Sequence, residues 1–405
     1  MAAADLRPVA PPPPAPMSQP DPVARARALQ PLLAAEGPAI DRAMQLTPPV
    51  LEALHDAGLH RLLLPPELGG DALPLDAYAQ VVEAVAVGDA STAWCVNQSN
   101  VSVLSSATYL APEVAQRFFA HSRAALAWGA RHGKAKAVPV PGGYRVTGAW
   151  EFGSGSRHSV LIGAHVPVVL EDGTPRPGPD GRPEDVTVIF PKEQARILGG
   201  WAALGLRGTG SDAYEVTDLF VPDAHACFRD RLAERRITTP VTLFTSHLCY
   251  AAGFSATALG VARALLDEYI ALARGKQARA GAQPMAENHS VQSEIAQLEA
   301  KLRAHRMYLF GTLKEAWAEA EGSGALSMPT RMAVRLATTT AMREATDISV
   351  ACYRAGGTTS VLEANPFERR LRDAMAVSQH LQGTPWHLET VGRHLLGVPQ
   401  REAFV

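Results

Sequence analysis

Apolar positions recur at helical spacing from the start of the foldable chain. From about Val23 they fall at Leu29, Leu32, Leu33, Ile40 and Met44, then at Val50, Leu51, Leu54 and Leu59, which predicts helices over the first hundred residues. Pro48 and Pro49 suit the first turn of the helix that carries Val50 to Ala57, since that turn has no use for their missing N–H, and Gly58 suits its end. Further helices are predicted over 75–87 and 112–120. Between about 123 and 222 short β-branched and aromatic runs broken by Gly, Pro and Asp replace the helical period. Tyr144, Val146 and Trp150 follow a Pro-Gly-Gly turn, Val160–Leu170 and Val186–Phe190 flank a turn-rich stretch, and Val216–Val221 ends at Pro222. An antiparallel sandwich or barrel is expected there. After about residue 240 longer helical periods return, with Phe254, Val261, Leu265 and Tyr269 in one helix and Val291, Ile295, Leu298 and Leu302 in another.

The order is therefore helices, strands, helices, with no internal repeat. Prolines at 8, 11–14, 16, 20 and 22 make residues 1–24 an expected extended, mobile tail. The expected units are a helical N-terminal domain over 25–122, a β domain over 123–235 and a helical bundle over 236–405. The uncharged stretch from Ile237 to Ala262 mimics a membrane span, but Thr238, Thr239, Pro240, Ser246 and His247 suit a buried helix better, so no membrane is expected.

A chain of 405 residues leaves room for two or three packed units, and 47% hydrophobic against 19% charged residues provides enough apolar surface for a globular core. Lys plus Arg is 38 and Asp plus Glu 40, a net charge of -2 without a basic block, which argues against nucleic acid as a partner. Cys95, Cys227, Cys249 and Cys352 form no CxxC pair, so neither a metal site nor a disulfide framework is expected. A reducing cytoplasm fits this pattern. Met1 to Met17 holds one basic residue, Arg7, and a proline run in place of a continuous apolar segment, so export is not expected.

No dinucleotide, Walker, HExxH or GxSxG motif is present. Four other segments could carry chemistry. In Trp150-Glu-Phe152-Gly-Ser154-Gly-Ser-Arg-His158 an alternating strand runs into small residues that let a flat ligand approach the backbone. The alternative is a glycine-rich strand end with a surface His158. Trp201 to Ser211 is dense in glycine and hydroxyls with Arg207 its one charge, as in anion-binding loops; a plain inter-strand loop is the alternative. Gly356-Gly357 permits close backbone approach, and the charge run over 366–373 ordinarily means a solvated helix face. His380, taken as continuing the helix from Arg372, shares a face with Ala376 and Asp373 and could move protons near neutral pH, or serve structure alone.

In order, these segments resemble the acyl-CoA dehydrogenase superfamily from about residue 25 to 400. The resemblance rests on Leu54-x-x-Ala-Gly58-Leu59 with Leu64-Pro-Pro-Glu-Leu-Gly-Gly70, on Gly205-Leu-Arg-Gly-Thr-Gly-Ser211 leading to Asp218-Leu-Phe-Val-Pro222, and on Gly356-Gly357 with Pro366 to Asp373. It implies an α+β chain: a helical N-terminal domain, a β-barrel or sandwich middle domain and a C-terminal four-helix bundle, assembled as a homotetramer around flavin. The family's glutamate base is absent, because the stretch after the Arg-Asp pair reads Ser378-Gln-His-Leu-Gln-Gly-Thr384. The chain is more similar to the oxygenase components of two-component flavin monooxygenases, the aromatic hydroxylase and dibenzothiophene monooxygenase branch. Trp150, Phe152, Ser154, Gly155, His158 and His380 match its motifs, as does Asp89-Ala-Ser-Thr-Ala-Trp94.

This resemblance implies reduced FMN or FAD delivered by a separate reductase, oxygen as co-substrate, a C4a-hydroperoxyflavin, and a small aromatic or heteroaromatic substrate. It places Ser154 beside flavin N5, has Phe152 contact the flavin, sets Trp128 and Gly129 along the isoalloxazine, and points His380 at the reacting centre. It also suggests Arg279, Arg207, Thr209, Gly356 and Gly357 as cofactor contacts. Phenol hydroxylases of the branch carry a histidine where this chain reads Asn97 to Ser102. The competing readings are a flavin dehydrogenase or oxidase of the same fold and a non-catalytic binding subunit.

Overall fold

Asp21 opens the first helix by accepting the N–H of Ala24 at 3.1 Å, and Pro22 fills the first turn. Helix α1 (Pro22–Ala43) thus begins within the expected tail, because a capped proline start is preorganised for helix. The computed structural model describes residues 21–179, 181–229, 231–276 and 284–399; most of the expected tail lies outside the described residues. Next come α2 (Pro48–Asp56), α3 (Leu75–Gly88), α4 (Ala90–Tyr109) and α5 (Pro112–Phe119). Gly58, at φ +67°, takes the left-handed turn that follows α2.

Helix α4 is buried along its whole length despite its Ser, Thr, Asn and Gln content. Its amides find partners: Asn100 Nδ2 donates to Leu59 O and Val96 O at 2.8 Å each, and Asn97 Oδ1 accepts the Tyr78 hydroxyl at 2.7 Å. A buried amide is tolerated when its bonds are made, and this one then fixes how neighbouring segments meet.

The strands are β1 (Leu126–Ala127), β2 (Ala130–Val140), β3 (Gly143–Gly153), β4 (Leu161–Pro167), β5 (Asp185–Pro191), β6 (Arg196–Gly199), β7 (Asp212–Pro222) and β8 (Ala226–Cys227). They form two four-stranded sheets, in orders β1-β4-β5-β8 and β2-β3-β7-β6. Pairing is antiparallel throughout except between β1 and β4, which are parallel, a departure from the all-antiparallel expectation. The β2–β3 hairpin belongs to the other sheet, so the chain crosses over before β4 and returns in β1's direction. Trp150, Ile162, Val188 and Tyr214 fill the core between the sheets.

The C-terminal helices are α6 (Ser246–Gly275), α7 (His289–Ser323), α8 (Met328–Gly356), α9 (Phe367–Ser378) and α10 (Trp386–Leu395). Helix α6 is long and apolar enough to cross a membrane, but its most apolar window is 94% buried, and it packs against α3, α8 and α4. The two helical segments share one core, in which Leu33, Tyr78 and Val82 join Leu259, Leu265 and Met342. The charge run on α9 is not a solvated face: Arg369, Arg370 and Asp373 are buried. Arg369 pairs with Asp89 at 3.2 Å, and Asp373 Oδ1 accepts the N–H of Leu206 at 2.7 Å. Charges are buried there because the glycine loop lies against α9. A Cβ on Gly205 would come within 1.9 Å of Arg372 O.

Candidate functional site

A cavity of about 540 Å³ opens where α4, α6, the ends of β1 and β3 and the segment after α9 converge. Helix α4 supplies Trp94 and Gln98, one turn apart and so on one face. Asp89 positions that helix by accepting the N–H and the hydroxyl of Thr92, both at 2.8 Å. Helix α6 supplies His247, Tyr250 and Phe254 at helical spacing. Trp94 and Phe254 stack with ring centroids 3.9 Å apart, and Tyr250 lies parallel to Phe254 at 5.6 Å.

At the end of β3 the backbone turns over: Phe152 adopts φ +59° and stays 61% exposed at the cavity. Positive φ is costly for an aromatic residue, and such strain concentrates at ligand sites. Ser154 follows. Its Oγ accepts the Trp94 indole N–H at 3.1 Å and lies 2.7 Å from Ser211 Oγ, which is 2.6 Å from Thr209 Oγ1. Thr209 Oγ1 donates to Leu206 O at 2.8 Å, so Ser211 must donate to Thr209 and Ser154 to Ser211. The hydroxyl hydrogens all point one way. Ser154 is left with one free lone pair beside the cavity. Trp128 and Gly129 line the adjoining wall, and Gly129 N–H donates to Tyr214 Oη at 3.0 Å. A Cβ on Gly129 would fall 2.1 Å from Glu151 O, so only glycine lets these strands cross.

His380 does not continue α9, which ends at Ser378; it caps a short 3-10 turn over Leu381–Gly383. The α-helix stops at Ser378 and the chain turns at His380, so the expected face shared with Asp373 is not formed. The imidazole instead packs against Phe254 at 4.3 Å and edge-on to Trp94 at 5.1 Å. Its Nδ1 accepts Gln382 N–H at 3.3 Å, which puts the ring proton on Nε2. Burial, with the nearby His247 and His387 adding to it, lowers its pKa to about 4, so it is a neutral donor at physiological pH.

Of the residues expected to contact cofactor, the structure brings Trp128, Gly129, Phe152, Ser154, Thr209 and His380 together around this cavity. Arg207 turns away from it, with Nε donating to Asp41 O at 3.2 Å and Nη1 to Ala203 O at 3.2 Å, so the loop's one charge fastens it to α1. Gly356 and Gly357 lie at the end of α8, apart from the cavity lining, where Gly357 takes φ +58°. Arg279 lies outside the described residues. His158 is not a surface residue. Its ring sits 6.3 Å from His60, which is 5.1 Å from His55, and burial lowers its pKa to about 4. It forms an inward histidine cluster beside the site.

Gln98, His165, Arg229, His247, Tyr250 and Gln382 also line the cavity and were not singled out from sequence as site residues. The helical phase of Phe254 could have pointed to Tyr250 and His247, but nothing local marks His165 or Arg229. No Asp, Glu or Lys lines the cavity among the described residues, and Arg229 is its one formal charge.

Residues 252–385 match the family model for the acyl-CoA dehydrogenase C-terminal domain. The chain is 27% identical to an indole-3-acetate monooxygenase of Pseudomonas putida, over 84% of each. It is 26% identical to the flavin-dependent monooxygenase oxygenase subunit HsaA of Rhodococcus jostii, over 83% of this chain and 87% of that protein. The solved structure of XiaF from a Streptomyces species, in complex with FADH2 and glycerol, superposes with a TM-score of 0.84 at 21% identity, covering 95% of that chain and 93% of this one. In fold the chain is acyl-CoA dehydrogenase-like, and in sequence it is similar over most of its length to the oxygenase components of flavin-dependent monooxygenases, which makes it an oxidoreductase enzyme.

Proposed function

We propose that the protein is the oxygenase component of a two-component monooxygenase, which receives reduced FMN or FAD from a separate flavin reductase and hydroxylates a small aromatic or heteroaromatic substrate. The observation that carries this reading is the one-way hydroxyl chain ending at Ser154. Its remaining lone pair accepts a hydrogen bond, which suits the N5–H that reduced flavin has and oxidised flavin lacks. The walls fit a flavin as well: Trp128, Gly129 and Phe152 offer a flat apolar surface beside that hydroxyl.

When bound, reduced flavin supplies the oxygen activation, through the C4a-hydroperoxyflavin that the resemblance implies. The protein's part is to exclude water and to place donors. Trp94 and Phe254 enclose the reacting end with apolar rings, and Nε2–H of His380 donates to the oxygen being transferred or to the substrate. A dehydrogenase reading would need a carboxylate base in the cavity, and among the described residues none lines it. Assembly as a homotetramer and a cytoplasmic location belong to the same reading; the four cysteines are buried thiols outside any disulfide. Light scattering of the purified protein measures the first.

Rapid mixing of the anaerobic protein and reduced FMN or FAD with oxygenated buffer tests the chemistry. A transient absorbance near that of a flavin–oxygen adduct, persisting longer than in free solution, is the expected result. Reoxidation at the rate of free flavin would overturn the proposal.

A further inference from the structure

The cavity walls are rings, hydroxyls and amides, apart from one full positive charge. Arg229 follows β8, and its guanidinium lies 4.8 Å over the Trp128 ring while Nη1 donates to Ser246 Oγ at 3.3 Å. Its Nε–H is buried and finds no acceptor, and among the described residues no Asp or Glu pairs with it. The other described groups facing it are not anions. His165 packs edge-on against Trp128 at 4.5 Å and is held neutral by burial and by the Arg229 charge itself, and the Tyr250 hydroxyl accepts from Gln98 Nε2 at 3.3 Å. Nearby Arg131 is already matched by Asp185 at 3.2 Å.

Leaving a guanidinium in an apolar cavity without a carboxylate partner is unfavourable, and two other guanidiniums of the chain have one: Arg369 pairs with Asp89, and Arg157 with Asp212. A guanidinium is a planar donor fork that matches a carboxylate in two parallel hydrogen bonds, and Arg229 lines the cavity with donors that Ser246 does not use. Along α6, Ser246 beside Arg229 and Phe254 beside His380 are two turns apart, about 12 Å along the helix axis. The cationic end and the end bearing His380 are thus separate parts of one elongated cavity.

We propose that the substrate is an aromatic carboxylic acid whose carboxylate is received by Arg229 while its ring lies between Trp94, Phe254 and His380, an assignment that rests on the monooxygenase reading of the cavity. The acid group anchors the molecule at one end and sets which ring carbon reaches the reacting centre at the other.

The test is calorimetric binding of bicyclic arylacetates and arylpropionates, each beside its uncharged amide, to the FMN-loaded protein and to Arg229→Gln and Arg229→Lys. In the unaltered protein the acids bind about tenfold or more tightly than the amides. Arg229→Gln abolishes that preference, leaves amide and FMN affinity within about twofold, and Arg229→Lys retains part of it. Equal binding of acids and amides by the unaltered protein overturns the proposal, and that comparison needs no variant. A loss of FMN affinity in Arg229→Gln as large as the loss of acid affinity also overturns it, since Arg229 would then hold the flavin. Acid binding that depends on Arg229 in a protein that never oxygenates anything would keep the carboxylate site and remove the monooxygenase reading instead.

Discussion

The indole N–H of Trp94 donates to the hydroxyl of Ser154 at 3.1 Å, although one residue sits on a helix of the N-terminal segment and the other at the end of a β-strand. That bond joins the aromatic wall of the cavity to the hydroxyl chain whose end, Ser154, is proposed to face flavin N5.

Removing the Ser154 hydroxyl should therefore harm more than one contact. In Ser154→Ala the buried Trp94 N–H loses its acceptor, at a cost of about 1–3 kcal/mol. Reduced FMN is expected to bind about 5- to 100-fold more weakly, measured by anaerobic titration, with a smaller effect for Trp94→Phe. Unchanged affinity in Ser154→Ala would remove the N5 assignment.

His380→Ala should leave flavin binding intact and lower the product formed per reduced flavin by about 10- to 100-fold, with hydrogen peroxide released in its place. His380→Gln keeps an amide donor near the Nε2 position and should recover part of the coupling. Since the folded-state pKa is about 4, coupling should be flat from pH 6 to 8 with respect to this group and fall only as pH approaches the folded value.

Acid should destabilise the fold through its histidines. His158, His380 and His387 are each lowered to about 4 by burial, against about 6.5 in the unfolded chain, so the unfolded state binds protons that the folded state refuses. Their stabilising contribution is present above pH 6.5 and is lost as pH falls from there toward 4. Asp373 acts in the opposite sense, because burial and the charge of Asp89 raise it to about 7, but it is one group against these three and the other lowered histidines, His55, His60, His165 and His225. Urea midpoints should decline steadily between pH 6.5 and 4; a midpoint constant over that range would contradict the burial of these rings.

Arg369→Met should cost about 3–5 kcal/mol of stability, since it strands Asp89 and Asp373 as buried carboxyls without their cation. Adding Asp373→Asn should restore part of the loss by removing the second charge. Denaturant unfolding of both variants at pH 7.5 measures this, and a loss below about 1 kcal/mol for Arg369→Met would mean the pair is far more solvated than its burial indicates.

Much of the fold was legible in sequence because its signals are local. Pro48 and Gly58 bracket α2, the Pro-Gly-Gly turn sets the β2–β3 hairpin, and the spacing of Phe254, Val261, Leu265 and Tyr269 marks the buried face of α6. Helix α4 was harder to read, since its Asn and Ser positions break the apolar period and only their partners on other segments show why they are buried. The charges of α9 misled for the same reason: a run of Arg and Glu reads as solvated until Asp89 and the Gly205 loop are seen against it.

The site divides in the same way. Ser154, Trp128, Thr209 and His380 stand in recognisable stretches, so sequence alone determined the order of elements and several of the segments that meet at the cavity. The tertiary structure alone decided that Arg207 fastens a loop while Arg229, in no motif, stands in the cavity. It also decided that His380 is a neutral donor and that the Ser154 hydroxyl hydrogen is already committed to Ser211. The physical reason is that helical period and turn chemistry are written in neighbours a few positions apart, whereas a charge's partner, a hydroxyl's direction and a ring's solvation depend largely on groups tens to more than a hundred residues away in the chain.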